Sequence, residues 1–255
     1  MSDLKSTTYT LTVAAGKRLI AKAVAQYGPV KDGMESGTVA VAKGTTNAYV
    51  LEELLGEKID KGAYVLGKNL PPNFEDADGI FKGSMDEVVF KNGEIIEGVG
   101  VKEAAPDMKA GDVVIKGANA LDLDNGCAGL LIGAPTGGTL GGLIGPVYGR
   151  GLHMIIPVGL EKQVAGSLRT TAQYWNVDPE LRRPKNPGLW IMEGEIITEL
   201  QAIEILTGAE AMQLAAGGVC GAEGTVWLAV TGTSEQIDAA DALIDSVRDE
   251  PSFGS

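Results

Sequence analysis

The sequence predicts an α/β fold in which a mostly parallel sheet is covered by helices, followed by a smaller C-terminal α+β unit. Short apolar stretches alternate with amphipathic helical patterns over residues 14–159, as in sheets that are buried on both faces. Beyond a linker rich in proline and charge at 176–188, the order becomes strand, helix, strand, strand, helix. We therefore predict a Rossmann-like three-layer domain over 1–185 and a small lid, ferredoxin-like in outline, over 186–255.

Composition and charge exclude several classes of function. The 255-residue chain carries a formal net charge of −13, and no run of lysine or arginine stands out. A nucleic-acid-binding protein needs a basic face to displace counterions from phosphates, so we expect no nucleic acid partner. No segment approaches the ~18 consecutive apolar residues of a membrane helix, and the first residues lack the apolar core of a signal peptide. We expect a cytoplasmic protein without membrane association.

The two cysteines, Cys127 and Cys220, lie far apart in the sequence and outside any metal-ligand spacing. We expect two buried thiols and no disulfide. Neither a cofactor nor a metal ion is predicted.

Apolar periodicity places the elements of the first domain. A helical spacing of apolar residues predicts a helix over 14–27 that ends at Gly28-Pro29. Asn47 is expected to cap a second helix, which Gly56 closes. The Asn92-Gly93 pair predicts a hairpin turn. Buried strands are predicted at residues 38–42, 112–117, 129–133 and 152–159.

The C-terminal unit contains two signals for the start of a helix. Thr198 is followed three residues later by Gln201, and Thr233 by Gln236, which is the spacing of a capping box. Between these helices, strands are predicted at residues 209–216 and 225–231.

A candidate phosphate loop, Lys43-Gly44-Thr45-Thr46-Asn47, joins the strand at 38–42 to the next helix. The first N–H groups of a helix have no intrahelical acceptor, and the helix dipole favours an anion beside them. The Thr45 and Thr46 hydroxyls add further donors. The same residues would also serve as ordinary helix caps, so both interpretations stay open.

A second polar motif follows the strand at 112–117. Asn119, Asp122 and Asp124 come after the strand end and are expected at the carboxyl edge of a parallel sheet. Ligands of α/β proteins bind at this edge. The alternative is a turn with surface aspartates.

These two motifs, in this order, resemble the type A ribose-5-phosphate isomerase family, which belongs to a larger group with glucosamine-6-phosphate deaminase and the CoA transferases. The family's Asp-Gly-Met and Gly-Thr-Gly-Ser-Thr phosphate loop resemble "KDGMESGTVAVAKGTTNAYVLEELLG" at 31–56. Its Asp-Gly-Ala-Asp-Glu signature resembles "KGANALD" at 116–122, and its acid-x-Ser-Lys strand end resembles "MIIPVGLEK" at 154–162. The C-terminal unit has the element order of the family's lid.

The resemblance implies phosphate binding by Gly44, Thr45 and Thr46, with Lys162 in contact with the substrate. Asn119 and Asp122 take the places of two signature aspartates. It also implies a homodimer. The family's general-base glutamate and a preceding lysine have no counterpart, because residues 125–160 contain no Asp, Glu or Lys. Abstraction of a proton next to a carbonyl needs such a base, so a standard ribose-5-phosphate isomerase is not predicted.

The proposed ligand is therefore a small phosphorylated metabolite, either a sugar phosphate or a nucleotide or CoA ester. One alternative is an isomerase-like enzyme with a relocated acid or base. His153 and Asp122 are the candidates for that role, since His153 is the only histidine and its ordinary pKa lies near neutrality. A solitary histidine at the start of a strand is more often a hydrogen-bonded structural residue, and this alternative stays open. A non-catalytic ligand sensor or structural protein is the second alternative.

A helix starting in the glycine-rich 136–142 run would provide another anion site.

Overall fold

The computed structural model describes residues 4–177 and 186–254. Within these residues the fold is mixed α/β, with eight α-helices and twelve strands. The helices are α1 (Val13–Gln26), α2 (Gly28–Ser36), α3 (Thr45–Leu55), α4 (Val101–Ala104), α5 (Gly138–Arg150), α6 (Leu168–Val177), α7 (Glu199–Thr207) and α8 (Ser234–Asp245). The strands are β1 (Leu4–Leu11), β2 (Thr38–Val41), β3 (Val88–Lys91), β4 (Glu94–Ile95), β5 (Val113–Ile115), β6 (Ala120–Asp122), β7 (Cys127–Ile132), β8 (His153–Pro157), β9 (Gly188–Met192), β10 (Glu195–Ile197), β11 (Glu210–Ala216) and β12 (Val226–Thr233).

A six-stranded mixed sheet with the order β10-β8-β5-β2-β3-β4 forms the centre of the fold. The first four strands are parallel, and β3 and β4 are antiparallel. All three residues of β5 are fully buried, which means that both faces of the sheet are covered at this strand. The predicted strands at 38–42, 112–117 and 152–159 and the Asn92-Gly93 hairpin are confirmed.

The predicted strand at 129–133 exists as part of β7 but lies outside the central sheet. The chain reverses after β6 at Gly126, whose φ of 59° is left-handed, and β7 returns antiparallel to β6. Together with β9 these strands form a separate sheet with the order β6-β7-β9.

The predicted end of the first helix is confirmed, because α1 ends at Gln26 with Tyr27 as its C-cap. Pro29 then lies in the first turn of a new helix, α2. Proline is tolerated there since the N–H it lacks would have no intrahelical acceptor. Helix α3 starts at Thr45, with Gly44 and not Asn47 as its N-cap.

The C-terminal part of the chain contributes strands to all three sheets. Strand β9 joins β7, β10 extends the central sheet, and β11 and β12 form a third sheet with the N-terminal strand β1, in the order β1-β12-β11. Both predicted capping boxes, at Thr198 and Thr233, are confirmed. Residues 178–185 of the predicted linker lie outside the described residues.

One hydrophobic core joins the central sheet to α1, α3 and α7, and a small separate cluster lies between α6, β7 and β9. Cys127 is buried in that small cluster, as expected, whereas Cys220 is exposed in the loop between β11 and β12. The expectation of a buried thiol is therefore wrong for Cys220. In the described part of the chain, no helix combines the length and the apolar character needed to cross a membrane.

Candidate anion-binding site

A cavity of about 830 Å³ lies at the carboxyl edge of the central sheet. Its wall includes the residues that follow β2, β5 and β8, together with the amino ends of α3 and α5. The loop at 65–81, the end of β7 and Phe253 also line the cavity. This volume lies within the range of roughly 300–1,000 Å³ that is common for small-molecule sites.

The amino end of α3 lies at this cavity. The first intrahelical bond of α3 runs from the Ala48 N–H to the Gly44 carbonyl at 2.9 Å, so the N–H groups of residues 45–47 precede it. Gly44 provides no side-chain cap. Thr46 lines the cavity and is only 2% exposed, yet its hydroxyl has no hydrogen-bond partner in the described part of the chain. Since most buried hydroxyl groups are paired, this hydroxyl is available to a ligand.

Asn47 has a structural role instead. It is fully buried, and its Nδ2 donates to the Ala42 carbonyl at 2.7 Å and to the Ile115 carbonyl at 3.2 Å. These bonds join the first turn of α3 to the ends of β2 and β5. Asn47 therefore holds the candidate phosphate loop in place without forming part of the cavity wall.

The cavity is cationic although the protein is acidic. Within the described residues, its wall contains one carboxylate, Glu87, and five lysines. None of these lysines has a carboxylate oxygen within 4.0 Å in the described ranges. The lysines are Lys17, Lys43, Lys68, Lys116 and Lys162.

Burial shifts the pKa of three of these lysines. The pKa of Lys116 falls to about 8, chiefly through burial, an effect that Glu87 opposes and the Lys162 ammonium reinforces. The pKa values of Lys17 and Lys162 are also lowered, again chiefly by burial. Desolvation and mutual repulsion both disfavour the ammonium form. An anion in the cavity would remove this penalty.

Lys162 is positioned by a buried carboxyl group. It lies at the end of the 3₁₀ turn Leu160–Lys162, and its Nζ donates to the Ala118 carbonyl at 2.7 Å. The Leu160 N–H of the same turn donates to Glu199 Oε2 at 2.9 Å. Burial, followed by repulsion from Glu161, raises the pKa of Glu199 to about 7.

The raised pKa of Glu199 predicts a pH-dependent stability. Because the folded state holds the proton more tightly than the unfolded state, this contribution is full below the ordinary pKa of 4.5 and is lost as the pH rises through about 7. Glu199→Gln keeps an acceptor for Leu160 and should remove this loss, which is on the order of 3 kcal/mol. Urea unfolding at pH 5 and pH 8 measures it. Glu204→Gln, on the exposed side of the same helix, should retain the wild-type pH dependence; an unchanged dependence in Glu199→Gln would contradict the assignment.

The structure brings together most of the predicted phosphate-site residues. Lys43, Gly44, Thr45, Thr46, Asn119 and Lys162 all line the cavity. Asn119 is exposed, and its Oδ1 accepts a hydrogen bond from the Leu131 N–H at 2.9 Å. The amino end of α5, starting at Gly138 in the glycine-rich run, also lines the cavity.

The two predicted catalytic residues lie outside the cavity wall. Asp122 is 1% exposed and accepts hydrogen bonds from the Leu168 N–H at 2.9 Å and from the backbone and side chain of Asn125. These bonds lower its pKa and connect the turn after β6 to the start of α6. Asp122 therefore organises the β6–β7 turn and does not meet a ligand in this cavity.

His153 lies at the opposite edge of the sheet. It begins β8, whereas the cavity lies beyond Pro157 at the end of this strand, roughly 13 Å away for a rise of four residues. Its Nδ1 is 2.6 Å from Glu195 Oε1, and the Tyr27 hydroxyl donates to the other oxygen of Glu195 at 2.7 Å. The sequence placed His153 on the correct strand but at the wrong end of it for catalysis in this cavity.

Several residues that line the cavity were not predicted as site residues from the sequence. Lys116 could have been found, because it directly follows a buried strand and so must lie at the carboxyl edge. Glu87 precedes β3, an antiparallel neighbour of β2, and this orientation brings it to the same edge. Lys17 and Phe253 come from distant parts of the chain, and no local pattern identifies them.

Comparison of the chain with protein-family models, with curated proteins and with solved structures finds no match. The resemblance to the type A ribose-5-phosphate isomerase family remains a prediction.

Proposed function

We propose that this protein binds a small phosphorylated metabolite in the cavity at the carboxyl edge of its central sheet. The observation that carries the proposal is the Thr46 hydroxyl, which is buried at the start of α3, lines the cavity and has no partner in the described residues. A phosphate oxygen would accept a hydrogen bond from this hydroxyl and from the N–H groups that begin the helix. In this proposal the parallel strands form a Rossmann-like ligand domain, and the C-terminal unit over 186–255 forms its lid.

The charge of the cavity supports an anionic ligand. Lys17, Lys116 and Lys162 approach it from α1, from the end of β5 and from the turn after β8, without a carboxylate in ion-pair contact among the described residues. Burying such ammonium groups is unfavourable unless a counter-charge is present. A dianionic phosphate supplies that charge.

The cavity also has an apolar wall that a free phosphate ion would not use. Phe81 and Phe253 stack with a centroid distance of 6.4 Å, and Lys68 Nζ lies 3.9 Å from the Phe81 ring centroid. Both rings line the cavity. This wall favours a ligand whose phosphate is attached to a larger organic group, such as a sugar, a nucleoside or the nucleotide part of a CoA ester.

Thermal-shift screening with sugar phosphates, nucleotides and CoA esters tests this function, because a ligand at high saturation stabilises the native state. Titration calorimetry with the most stabilising compound should then show that Thr46→Val binds it about 10- to 100-fold more weakly, since a hydrogen bond to a charged oxygen is lost. The unliganded variant should be as stable as wild type or more so, because an unpartnered buried hydroxyl is removed.

The matched control is Thr225→Val, because Thr225 does not line the cavity. Thr225 is 3% exposed, and its hydroxyl donates to the Gly217 and Ala222 carbonyls, both at 2.9 Å. This variant should lose stability and keep its affinity. If no phosphorylated compound stabilises the wild-type protein, the proposed function is wrong.

A further inference from the structure

We propose that Lys116 is an amine nucleophile that forms a Schiff base with the carbonyl carbon of a phosphorylated aldehyde or ketone bound in this cavity. This inference rests on the proposed phosphate binding and adds a class of ligand and a covalent step to it. It is carried by the position of Lys116 beside the candidate phosphate loop, by the absence of an ion-pair partner among the residues that the structure describes, and by the presence of Glu87 in the same cavity wall.

The backbone of Lys116 is fixed at the centre of the sheet. Its N–H donates to the Ile155 carbonyl of β8 at 3.0 Å. The carbonyl of the preceding residue, Ile115, accepts from the Ala42 N–H at 3.0 Å and from Asn47 Nδ2 at 3.2 Å. Lys116 therefore starts next to the first turn of α3, with a flexible four-carbon stem that reaches into the cavity.

The ammonium of Lys116 is weakly held. Its one hydrogen bond within the described residues is a long contact of 3.5 Å to the Gly117 carbonyl. Lys162, by contrast, donates to the Ala118 carbonyl at 2.7 Å, and no carboxylate within the described ranges lies closer than 4.0 Å to Lys116 Nζ. An amine with so little stabilisation of its charge can lose its proton and attack a carbonyl.

The pKa of Lys116 agrees with this role. Burial lowers it to about 8. At pH 7.4 roughly a fifth of the side chains would then be neutral, compared with about one in a thousand at the ordinary pKa of a lysine. Only the neutral amine has the lone pair needed for attack on a carbonyl carbon.

The step needs no further reactant. The lone pair of Nζ attacks the carbonyl carbon, the C=O π electrons move to oxygen, and that oxygen takes up a proton while the nitrogen loses one. Protonation of the resulting hydroxyl and expulsion of water then give the protonated imine. Glu87 lines the cavity and interacts electrostatically with Lys116, so its carboxylate can accept and return these protons. Its oxygens are held by the Val101 N–H at 3.0 Å and the Thr139 hydroxyl at 3.3 Å.

Pyridoxal 5′-phosphate, used here only as a phosphorylated aldehyde, tests the proposal. The full-length protein is mixed with a stoichiometric amount of the probe and reduced with borohydride, and the modified lysine is identified by peptide mass spectrometry. We expect one reduced adduct, on Lys116, with a rate of formation that is half-maximal near pH 8. Lys116→Arg and Lys116→Met should each lose this adduct, because neither side chain provides a neutral amine. Lys91→Arg, which changes an exposed lysine of β3, should keep it.

Pyridoxine 5′-phosphate is the matched probe, because it carries the same phosphate and ring but an alcohol in place of the aldehyde. Both probes should stabilise the protein thermally, and only the aldehyde should give an adduct. Stabilisation by both probes without an adduct, or with an adduct on Lys17, Lys43 or other lysines instead, would overturn the Schiff-base proposal alone. If neither probe nor any other phosphate ester binds, the proposed function itself fails.

Discussion

Replacing Arg18 with methionine is expected to lower the free energy of unfolding by about 3–5 kcal/mol. Arg18 is 4% exposed, and its guanidinium donates to Glu52, to Glu53 at 2.9 Å and to Glu250 at 2.9 Å. Glu52 is itself almost completely buried. Removing the cation leaves this carboxylate in an environment of low polarity, where the remaining contacts of Lys58 and Lys61 compensate for only part of the loss.

Urea unfolding of the two variants Arg18→Met and Arg248→Met measures this effect. Arg248 forms an exposed pair with Asp245 three residues away, and its loss should change stability by less than about 1 kcal/mol. Adding Glu52→Gln to Arg18→Met should restore part of the stability, because the unpaired charge is removed along with its partner. Equal effects of Arg18→Met and Arg248→Met would contradict the assignment of a buried network.

The second large effect is expected at Asp122, as a loss of stability and not of ligand binding. Asp122→Ala removes the acceptor of the Leu168 N–H and of two donors of Asn125, and should lower the free energy of unfolding by about 2–3 kcal/mol. Because the carboxylate lies outside the cavity wall, the folded variant should bind phosphorylated ligands with wild-type affinity.

Asp124→Ala provides the matched control for this prediction. Asp124 is exposed and lies two residues further along the same turn, so its replacement should leave both stability and affinity nearly unchanged. Unfolding curves and calorimetric titrations of the two variants separate the roles. A variant Asp122→Ala that folds with full stability but no longer binds the ligand would restore the catalytic or ligand-contacting role that the sequence suggested.

The candidate phosphate loop shows which features of the site can be predicted from the local sequence and which cannot. A strand that leads through glycine and threonine into a helix determines that the N–H groups of residues 45–47 point away from the helix, and the structure places Thr45 and Thr46 in the cavity wall. The pattern did not distinguish Asn47, whose side chain joins the ends of β2 and β5. That role depends on the carbonyl of Ile115, which is 68 residues away, and a contact over this separation cannot be predicted from the local sequence.

Asp122 and His153 show a related limit. Asp122 was assigned to the ligand edge because it follows a predicted strand, and His153 was a candidate because it is the only histidine. Which edge a residue occupies depends on the direction of its strand and on the sheet to which that strand belongs. His153 lies at the amino end of β8, and Asp122 is bonded to Asn125 and to the Leu168 N–H, so neither lines the cavity.

The sequence by itself determined the elements whose stability is local. The capping boxes at Thr198 and Thr233, the hairpin at Asn92-Gly93 and the buried strands of the central sheet follow from hydrogen bonds and periodicities within a few residues. Only the tertiary structure decided that β1, at the start of the described chain, pairs with β12 near its end, where Leu4 lies opposite Thr233. It also decided that Lys17, Glu87 and Lys116 converge on one cavity. Such contacts form when distant segments pack together and bury apolar surface between them. The periodicity of apolar residues shows which face of a segment is buried, but not which other segment packs against it.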